Sequence, residues 1–378
     1  MNDITIVPIS SSSELKKGVK FKLSLYKENP YFVPPLIFDE VRTLDSKRNP
    51  SFEVCDAQSF LAYRDGKIVG RVTAIIHRKA NEIWNRKVVR FGYIDFIEDK
   101  EVSKMLLHTV EEWGKERGMT EIEGPLGFTD WDPEGMLIEG FNLIHTCSTL
   151  YNYPYYSQYL NELGYNVSAS WKELQVTVTK ELPDKFARIA KLVSARYHLR
   201  NVKFKTIKEL LRNGYGEKVF DLLCRCYAPI YGFAPLTERQ VQDFIKTYMV
   251  LVPPELVSLV IDEEEKLVAV GISMPSLSKG LQKAKGKLFP LGWWHLLRSL
   301  HFRNDVVEML LIGVDPKYQS KGVNAMLFAD LEPIYYKMGF KYAETNPELD
   351  TNSGVSSQWD YFPNRVVRRR NLFRKDIL

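Results

Sequence analysis

The sequence is poor in the residue patterns that build metal sites, disulfide frameworks and membrane spans. Its four cysteines include no CxxC pair, and with the six histidines they show no zinc-type spacing. No apolar run approaches the roughly 18 residues of a membrane-spanning helix. The opening "MNDITIVPISSSSELKK" lacks a basic region followed by an apolar one, the pattern of a secretory signal. We therefore expect no bound metal ion and a reduced, cytoplasmic protein that is not embedded in a membrane.

An excess of one charge sign is also missing. The net charge of +5 is small for 378 residues, of which 45% are hydrophobic and 26% are charged. These values are typical of globular proteins and too weak to indicate a nucleic-acid partner, so none is expected. The length favours more than one domain, since a single core rarely grows beyond about 250 to 300 residues.

What the sequence does contain is a repeated order of elements. "FLAYRDGKIVGRVTAII" (60–76) and "SLVIDEEEKLVAVGISM" (258–274) each predict a β-hairpin. The first precedes the strand "RFGYIDF", the helix "KEVSKMLLHTVEEWGKERG" and the strand "MTEIEGP"; the second precedes "VVEMLLIGV", "SKGVNAMLFADLEPIYYKMG" and "FKYAETNP". This repetition predicts an α/β (α+β) fold of two tandem domains, 1–180 and 181–378, each with a mixed central sheet flanked by helices.

The stretch "GVDPKYQSKGVNAML" (313–327) joins a predicted strand to a predicted helix. Gly322 would let the backbone approach a ligand closely, and the N–H groups at a helix start favour a phosphate. Lys317 and Lys321 could add positive charge. The alternative is an unliganded turn beneath an exposed, basic helix start.

The order of elements, found twice, resembles the tandem members of the GCN5-related N-acetyltransferase (GNAT) superfamily. The superfamily's pyrophosphate turn is Gln/Arg-x-x-Gly-x-Gly/Ala; Gln319, Gly322 and Asn324 occupy those places, with Asn departing from the pattern at the last. The resemblance implies acyl-CoA as co-substrate, with its thioester beside the fourth strand at 311–314. The implied CoA-binding residues are Ile312, Gly313, Val314, Gln319, Ser320, Lys321, Gly322, Val323, Asn324 and Asn352.

The resemblance also supplies candidate acids. In the superfamily, an Asn after the fifth strand is followed seven residues later by a Tyr that can protonate the departing thiolate. Asn152 and Tyr159 fit this spacing in the first half. In the second half Asn352 is followed by Trp359 in the Tyr place, with Tyr361 two residues on. Tyr159 and Tyr361 are therefore the candidate acids, and plain packing is the alternative for Tyr159.

Direct acyl transfer to an amine requires a neutral amine, and therefore a base, but no covalent intermediate. Glu344 on the fifth strand of the second half is the candidate base, with Glu308 and Asp350 as alternatives. The two sequence features of the superfamily fall in different halves of the chain. The second half has the pyrophosphate turn, and the first half has the Asn and Tyr that match the superfamily pattern better. "IDFIEDKEVSKM" shows no phosphate turn in the first half.

Further segments resemble a narrower family: "NPYFVPPL", "GPLGFTDWDPEGMLIEGFN", "YNYPYY", "YGFAPLT" and "RRRNLFRKDI". They are similar to bacterial tandem GNAT-like proteins, some of which are linked to N-acylation of long-chain sphingoid amines, in the manner of a bacterial ceramide synthase. The resemblance implies an N-acyltransferase with a small-molecule or lipid amine as acceptor. The alternatives are a Fem-like aminoacyl transferase and a non-catalytic protein that binds acyl ligands or a membrane surface.

Three other segments leave alternatives open. In "GFTDWDPEGML", Asp130, Asp132 and Glu134 either cap a helix start or face solvent, or they receive a cationic amine. The insertion 278–304 combines lysines with tryptophan and leucine, which suits peripheral membrane contact through 286–303, a lid over an acyl chain, or an ordinary amphipathic helix. The ending "RVVRRRNLFRKDI" predicts a last strand with a solvated basic face; the alternative is a cluster that steers an anionic ligand.

Overall fold

The computed structural model describes residues 3–302, 304–351 and 358–377. The strands are β1 (Thr5–Ile9), β2 (Cys55–Arg64), β3 (Lys67–His77), β4 (Val88–Phe96), β5 (Glu121–Gly124), β6 (Met136–Glu139), β7 (Asn166–Thr177), β8 (Arg200–Val202), β9 (Val257–Ile261), β10 (Leu267–Pro275), β11 (Val306–Val314), β12 (Tyr342–Thr345), β13 (Glu348–Leu349) and β14 (Asn364–Asp376). The α-helices are α1 (Ser12–Leu25), α2 (Ile37–Leu44), α3 (Arg78–Ile83), α4 (Lys100–Lys115), α5 (Tyr155–Glu162), α6 (Asp184–Tyr197), α7 (Ile207–Arg212), α8 (Tyr215–Tyr227), α9 (Glu238–Thr247), α10 (Ser278–Ala284), α11 (Gly292–His301) and α12 (Asn324–Met338).

The chain divides into two compact units. Unit 1 is Met1–Lys172 with Ser278–Leu296 and Val367–Leu378, and unit 2 is Glu173–Leu277 with Leu297–Val366. The predicted ranges 1–180 and 181–378 differ from this division at residues 173–180, which belong to unit 2, and in two segments of the second half, 278–296 and 367–378, which belong to unit 1. Both segments pack on unit 1, since Ile37 N–H donates to the Gly286 carbonyl at 2.9 Å and β14 continues the sheet of unit 1.

In unit 1 the strands follow the order β1-β2-β3-β4-β5-β14. β4 and β5 are parallel, with Val89 opposite Ile122, and α4 crosses between them. The other neighbouring pairs are antiparallel. The apolar face of α4 closes the core, in which Leu106 and Val110 are fully buried against Phe91 and Phe96. The result is the predicted mixed sheet with a helix packed on it.

The end of β14 completes this sheet. Phe373 lies opposite Gly124 of β5, and its ring belongs to the core of unit 1. The prediction of a solvated basic face was wrong for two arginines of this strand, because Arg368 and Arg370 are fully buried. Each donates Nη1 to a loop carbonyl, Arg368 to Ile144 at 2.9 Å and Arg370 to Leu150 at 2.6 Å. Their positive charges hold loop backbone in place.

In unit 2 the strands follow the order β7-β12-β11-β10-β9-β8. β11 and β12 are parallel, with Val307 opposite Ala343, and α12 crosses between them as α4 does in unit 1. Phe328 and Leu331 of α12 pack in the core with Val307. The repeated order predicted from the sequence, and with it the mixed α/β fold class, is confirmed.

Within the described residues, no helix is both long enough and apolar enough to cross a membrane. The predicted insertion forms two short helices, α10 and α11.

Candidate active site

The candidate active site of unit 2 starts at an irregularity in its central strand. Ile272 of β10 lies opposite Leu311 and Ser273 opposite Met309, so that Leu310 bulges out of the ladder. On the other edge of β11, pairing with β12 ends at Met309 and Thr345. Residues 309–312 are half-buried. The outer half of β11 therefore extends beyond the last residue that pairs with β12, and among the described residues the edge that faced β12 has no neighbouring strand there.

Side chains bind three carbonyl groups in this outer half. The Asn346 amide donates to the Leu310 carbonyl at 2.6 Å, and the Tyr227 hydroxyl donates to the Ile312 carbonyl at 2.9 Å. The Gln319 amide donates to the Val314 carbonyl at 3.1 Å. A predicted CoA-binding side chain, Gln319, thus lies at the end of the strand where the turn begins.

Asp315 fixes the start of the turn. Its carboxylate accepts from the Lys317 N–H at 2.9 Å and forms an ion pair with Arg225 of α8. Burial acts to raise the pKa of Asp315, but the hydrogen bond from Lys317 and the Arg225 guanidinium outweigh it and hold this pKa below its usual value. The negative charge of Asp315 is thereby neutralised beside a turn that would receive an anion.

The turn itself bends through two left-handed residues, Ser320 (φ 61°) and Gly322 (φ 80°). Three consecutive residues of the turn are exposed: Gln319, Ser320 and Lys321. Gly322 packs closely on α6, since a Cβ there would lie 2.8 Å from Cγ2 of Ile189. Only glycine fits both this conformation and this contact without strain.

The start of α12 has no side-chain cap. Val323 occupies the N-cap position and cannot accept a hydrogen bond. In the described part of the chain, the N–H groups of Ser320, Gly322 and Val323 have no hydrogen-bond partner. Successive N–H groups at the positive end of a 15-residue helix favour a phosphate group.

The matching position in unit 1 is already filled by the protein's own carboxylate. Asp99 is the N-cap of α4, where it accepts from the N–H groups of Glu101 at 2.9 Å and Val102 at 3.4 Å. Arg64 forms an ion pair with Asp99 at 2.7 Å. A phosphate at this helix start would have to displace Asp99. Of these two described helix starts, that of α12 is the one without a side-chain cap.

The two units also differ where the parallel strands part. In unit 1 the Leu126 N–H donates to the Phe91 carbonyl at 3.1 Å, just beyond the end of the β4–β5 pairing. A Cβ on Gly92 would lie only 2.2 Å from the Leu126 carbonyl oxygen. The chain after β5 therefore packs tightly against β4 at Gly92, whereas in unit 2 the two parallel strands part beyond Met309.

The candidate base Glu344 lies on β12, in register with Glu308 of β11. Glu308 is completely buried and Glu344 is 8% exposed. Glu308 accepts from the Ser276 hydroxyl at 2.6 Å, and Glu344 accepts from the Gln175 amide at 2.9 Å. The structure thus brings two of the three candidate bases together on neighbouring strands, whereas Asp350 is exposed in a turn.

Of the two candidate acids, Tyr361 lies in unit 2 with the turn. Its hydroxyl accepts a hydrogen bond from the Lys185 ammonium group, which also lies 3.9 Å from the ring centroid. Phe186 of α6 packs on the Tyr361 ring with 5.5 Å between centroids. Because Ile189 of the same helix contacts Gly322, α6 supports both the turn and Tyr361.

A link between the turn and the segment before Tyr361 was not predicted. The Asn324 amide, in the first residue of α12, donates to Oε1 of Gln358 at 3.1 Å. Trp359 is buried, and its indole N–H donates to Glu348 at 2.9 Å, so it has a structural role. Asn352 lies outside the described residues.

Tyr159 belongs to unit 1 and is half-buried in α5. It packs on Tyr155 with 5.6 Å between ring centroids. Burial, with smaller contributions from Glu98 and Asp99, raises the pKa of Tyr159. The structure therefore places Tyr159 and the candidate phosphate turn in different units, and packing is the role that these contacts of Tyr159 favour.

The acidic loop of unit 1 is structured by one of its own carboxylates, that of Asp132. Asp132 accepts from the Thr129 N–H at 2.9 Å and from the Thr129 hydroxyl at 3.3 Å. Burial, with repulsion from neighbouring acids, raises the pKa of Asp132 to about 6 and that of Glu134 to about 8. Within the described residues, no group of three or more potential ligands could hold a metal ion.

Comparison with known sequences gives two relatives over most of the chain. "Protein YghO" of Escherichia coli is 26% identical over 381 residues, which cover 97% of this chain and 94% of that protein. "Bacterial ceramide synthase" of Caulobacter vibrioides is 25% identical over 338 residues, which cover 86% of this chain and 84% of that protein. No family model matches the sequence.

Comparison with solved structures gives matches over the whole chain. A tandem GNAT protein from the clavulanic acid biosynthesis pathway aligns with a TM-score of 0.60 and 10% identity, covering 100% of this chain and 99% of the other. A GCN5-related N-acetyltransferase from Sphaerobacter thermophilus aligns with a TM-score of 0.53 and 11% identity, covering 99% and 96%. At this low identity, the alignments show a shared fold across both units.

Proposed function

We propose that this chain, which has the tandem GNAT fold, is an acyl-CoA-dependent N-acyltransferase that moves an acyl group from a CoA thioester to a primary amine. The observation that carries the proposal is the uncapped start of α12, which follows a central strand whose outer half has parted from its neighbour. Unit 1 has a carboxylate at the matching helix start. One acyl-CoA site per chain, in unit 2, is therefore expected.

The turn would bind the diphosphate of CoA. The N–H groups of Ser320, Gly322 and Val323 lie at and just before the start of α12, where the helix favours negative charge. Lys321 adds a positive charge at the surface of the same turn. The edge of β11 from residue 310 to residue 314 would offer backbone groups to the arm that carries the thioester. The arm would either displace the side chains of Tyr227 and Asn346 from this edge or bind through them.

Glu344 would accept a proton from the amine as its nitrogen attacks the thioester carbonyl. The C–N bond forms, the C–S bond breaks, and the carbonyl oxygen is held by a backbone N–H of β11. Tyr361 would give its hydroxyl proton to the departing sulfur. The Lys185 ammonium group, already bonded to that hydroxyl, would stabilise the phenolate that remains.

The acceptor that we propose is a long-chain, sphingoid-type amine. Support comes from the relative that bears the name bacterial ceramide synthase, which is similar over 86% of this chain.

The test combines binding with turnover. Isothermal titration with CoA and a long-chain acyl-CoA should show binding, and mass spectrometry should detect the amide formed with a long-chain base. Glu344→Gln should lower the rate by about 100-fold or more without changing CoA affinity, since a general base contributes about 10²- to 10⁴-fold. Binding without turnover would favour a non-catalytic acyl-ligand protein. Absence of CoA binding would refute the proposal and favour a Fem-like donor.

A further inference from the structure

A second surface of unit 1 has a composition unlike that of an ordinary helix packed on a core. Residues 283–294, which we call the aromatic segment, join α10 to the start of α11. Four large apolar side chains of the segment are 43% to 76% exposed: Phe289, Leu291, Trp293 and Trp294. An ordinary amphipathic helix that closes a core, one of the alternatives that the sequence left open, would bury such side chains. It therefore does not account for their exposure.

The aromatic segment also carries charge of one sign. Lys283, Lys285 and Lys287 are exposed, and the sequence from 277 to 304 contains no aspartate or glutamate. Exposed tryptophan and leucine beside lysine is the composition of segments that lie in the headgroup zone of an anionic bilayer. Lysine is depleted at protein–protein interfaces relative to the rest of a protein's surface, so the three lysines favour a lipid surface over a second copy of this chain.

The base of the segment is held firmly on unit 1. The Gln282 amide donates to the carbonyls of Pro30 and Phe32 at 2.8 and 3.1 Å, and the Ser278 hydroxyl donates to the His145 carbonyl at 2.9 Å. A Cβ on Gly286 would lie 2.8 Å from the Leu23 side chain. These contacts fix one end of the segment, which suits a permanent docking surface better than a moving lid.

The tip of the segment is ordered by its own contacts. The Trp293 indole N–H donates to the Pro290 carbonyl at 2.9 Å, and the rings of Trp293 and Trp294 meet edge to face with 6.1 Å between centroids. A Cβ on Gly292 would lie 1.8 Å from the Lys287 carbonyl oxygen, so the backbone folds tightly on itself. The exposed rings are therefore presented in a defined arrangement before any partner binds.

We propose that the aromatic segment docks unit 1 on an anionic phospholipid surface. Phe289, Leu291, Trp293 and Trp294 enter the headgroup zone, and the three lysines contact lipid phosphates. This inference does not depend on the proposed transferase reaction, because it concerns a different part of the chain and a partner that is bound without turnover.

The test is co-sedimentation of the full chain with vesicles of phosphatidylcholine, with and without one quarter phosphatidylglycerol. We expect binding to the anionic vesicles, weakened by salt, and little binding to the neutral ones. Trp293→Ala with Trp294→Ala should lower partitioning at least about tenfold. Each lysine-to-glutamine change in the segment should lower it about fivefold, as expected for about 1 kcal/mol per charge near the surface.

Matched controls come from elsewhere in unit 1. Ile83→Ser removes an apolar side chain that is 51% exposed on α3, and glutamine at the exposed Lys16, Lys17 and Lys20 of α1 removes the same charge as the triple change in the segment. Neither control should change partitioning. Quenching of tryptophan fluorescence by brominated lipid provides a readout on the unaltered protein and should disappear in the double tryptophan variant.

Several results would overturn this proposal. Failure to bind anionic vesicles, equal binding to neutral vesicles, or equal loss in the control variants would each do so. If the protein bound no vesicles but formed a dimer that the double tryptophan change dissociated, the surface would be a site for a second copy. If long-chain acyl-CoA changed the tryptophan fluorescence without vesicles, and vesicles did not bind, the segment would be a lid.

Discussion

Replacing Asn324 with aspartate places a negative charge on the first residue of α12. The fold should tolerate the change. In the described structure the Nε2 of Gln358 is buried without a hydrogen-bond partner, and rotation of that amide would let it donate to the new carboxylate. A carboxylate in the first turn also stabilises a helix by about 0.3 to 1 kcal/mol. The thermal midpoint should therefore stay the same or rise.

Binding of CoA should weaken for the same electrostatic reason. Two like charges about 4 Å apart repel by about 1 kcal/mol in water-like surroundings, and the turn is exposed. A diphosphate carries two such charges, so the loss is about 2 kcal/mol, or about 30-fold in affinity. Isothermal titration at low and high salt measures it, and salt should reduce the difference.

Asn161→Asp is the control for this prediction. Asn161 is exposed on α5 in unit 1, so the change alters the net charge equally, in a different unit from the turn. It should leave CoA affinity unaltered. If Asn324→Asp bound CoA as tightly as the unaltered protein, the diphosphate would not lie at the start of α12 and the site assignment would be wrong.

Three further predictions concern stability and proton transfer. Gly322→Ala and Gly339→Ala both force alanine into a left-handed conformation, but of the two new methyl groups that at position 322 contacts a neighbour, Ile189. Urea unfolding should therefore show a larger loss of unfolding free energy for Gly322→Ala than for Gly339→Ala, by about 1 to 3 kcal/mol, the cost of overpacking. The raised pKa of Glu134, about 8, means that the neutral carboxyl stabilises the fold fully below pH 4.5 and that this stability is lost as the pH rises through about 8. Glu134→Gln should therefore flatten the fall of the thermal midpoint across that range, and an unchanged slope would contradict this. Tyr361→Phe should slow acyl transfer without weakening CoA binding, and an unchanged rate would remove Tyr361 from the mechanism.

Local pattern was sufficient to predict the repeat and the position of the turn. The alternation of apolar residues in both hairpins and the glycine before α12 reflect forces that act within a few residues. Even the difference between the two helix starts can be read locally, because Asp99 precedes α4 whereas Gly322 and Val323 precede α12. Comparing the two starts in the sequence thus indicates which of the two helices lacks a capping side chain.

Pairing over long distances could not be predicted in this way. Nothing in the sequence of β14 indicates that Phe373 lies opposite Gly124. The alternation of apolar and polar residues in one strand shows which face is buried, but not which strand it pairs with. The burial of Arg370 depends on a loop carbonyl at Leu150, far away in the sequence. The contact between Asn324 and Gln358 was missed for the same reason.

The placement of Phe373 has a consequence for biosynthesis. The ribosome makes this residue roughly 200 residues after Lys172, so the hydrophobic centre of the first-made unit stays incomplete for about 10 to 40 s at translation rates of about 5 to 20 residues per second. During that interval the edge of β5 that will receive Phe373 is bare. A nascent chain of this protein should therefore depend on chaperone protection for longer than the length of its first unit alone would suggest.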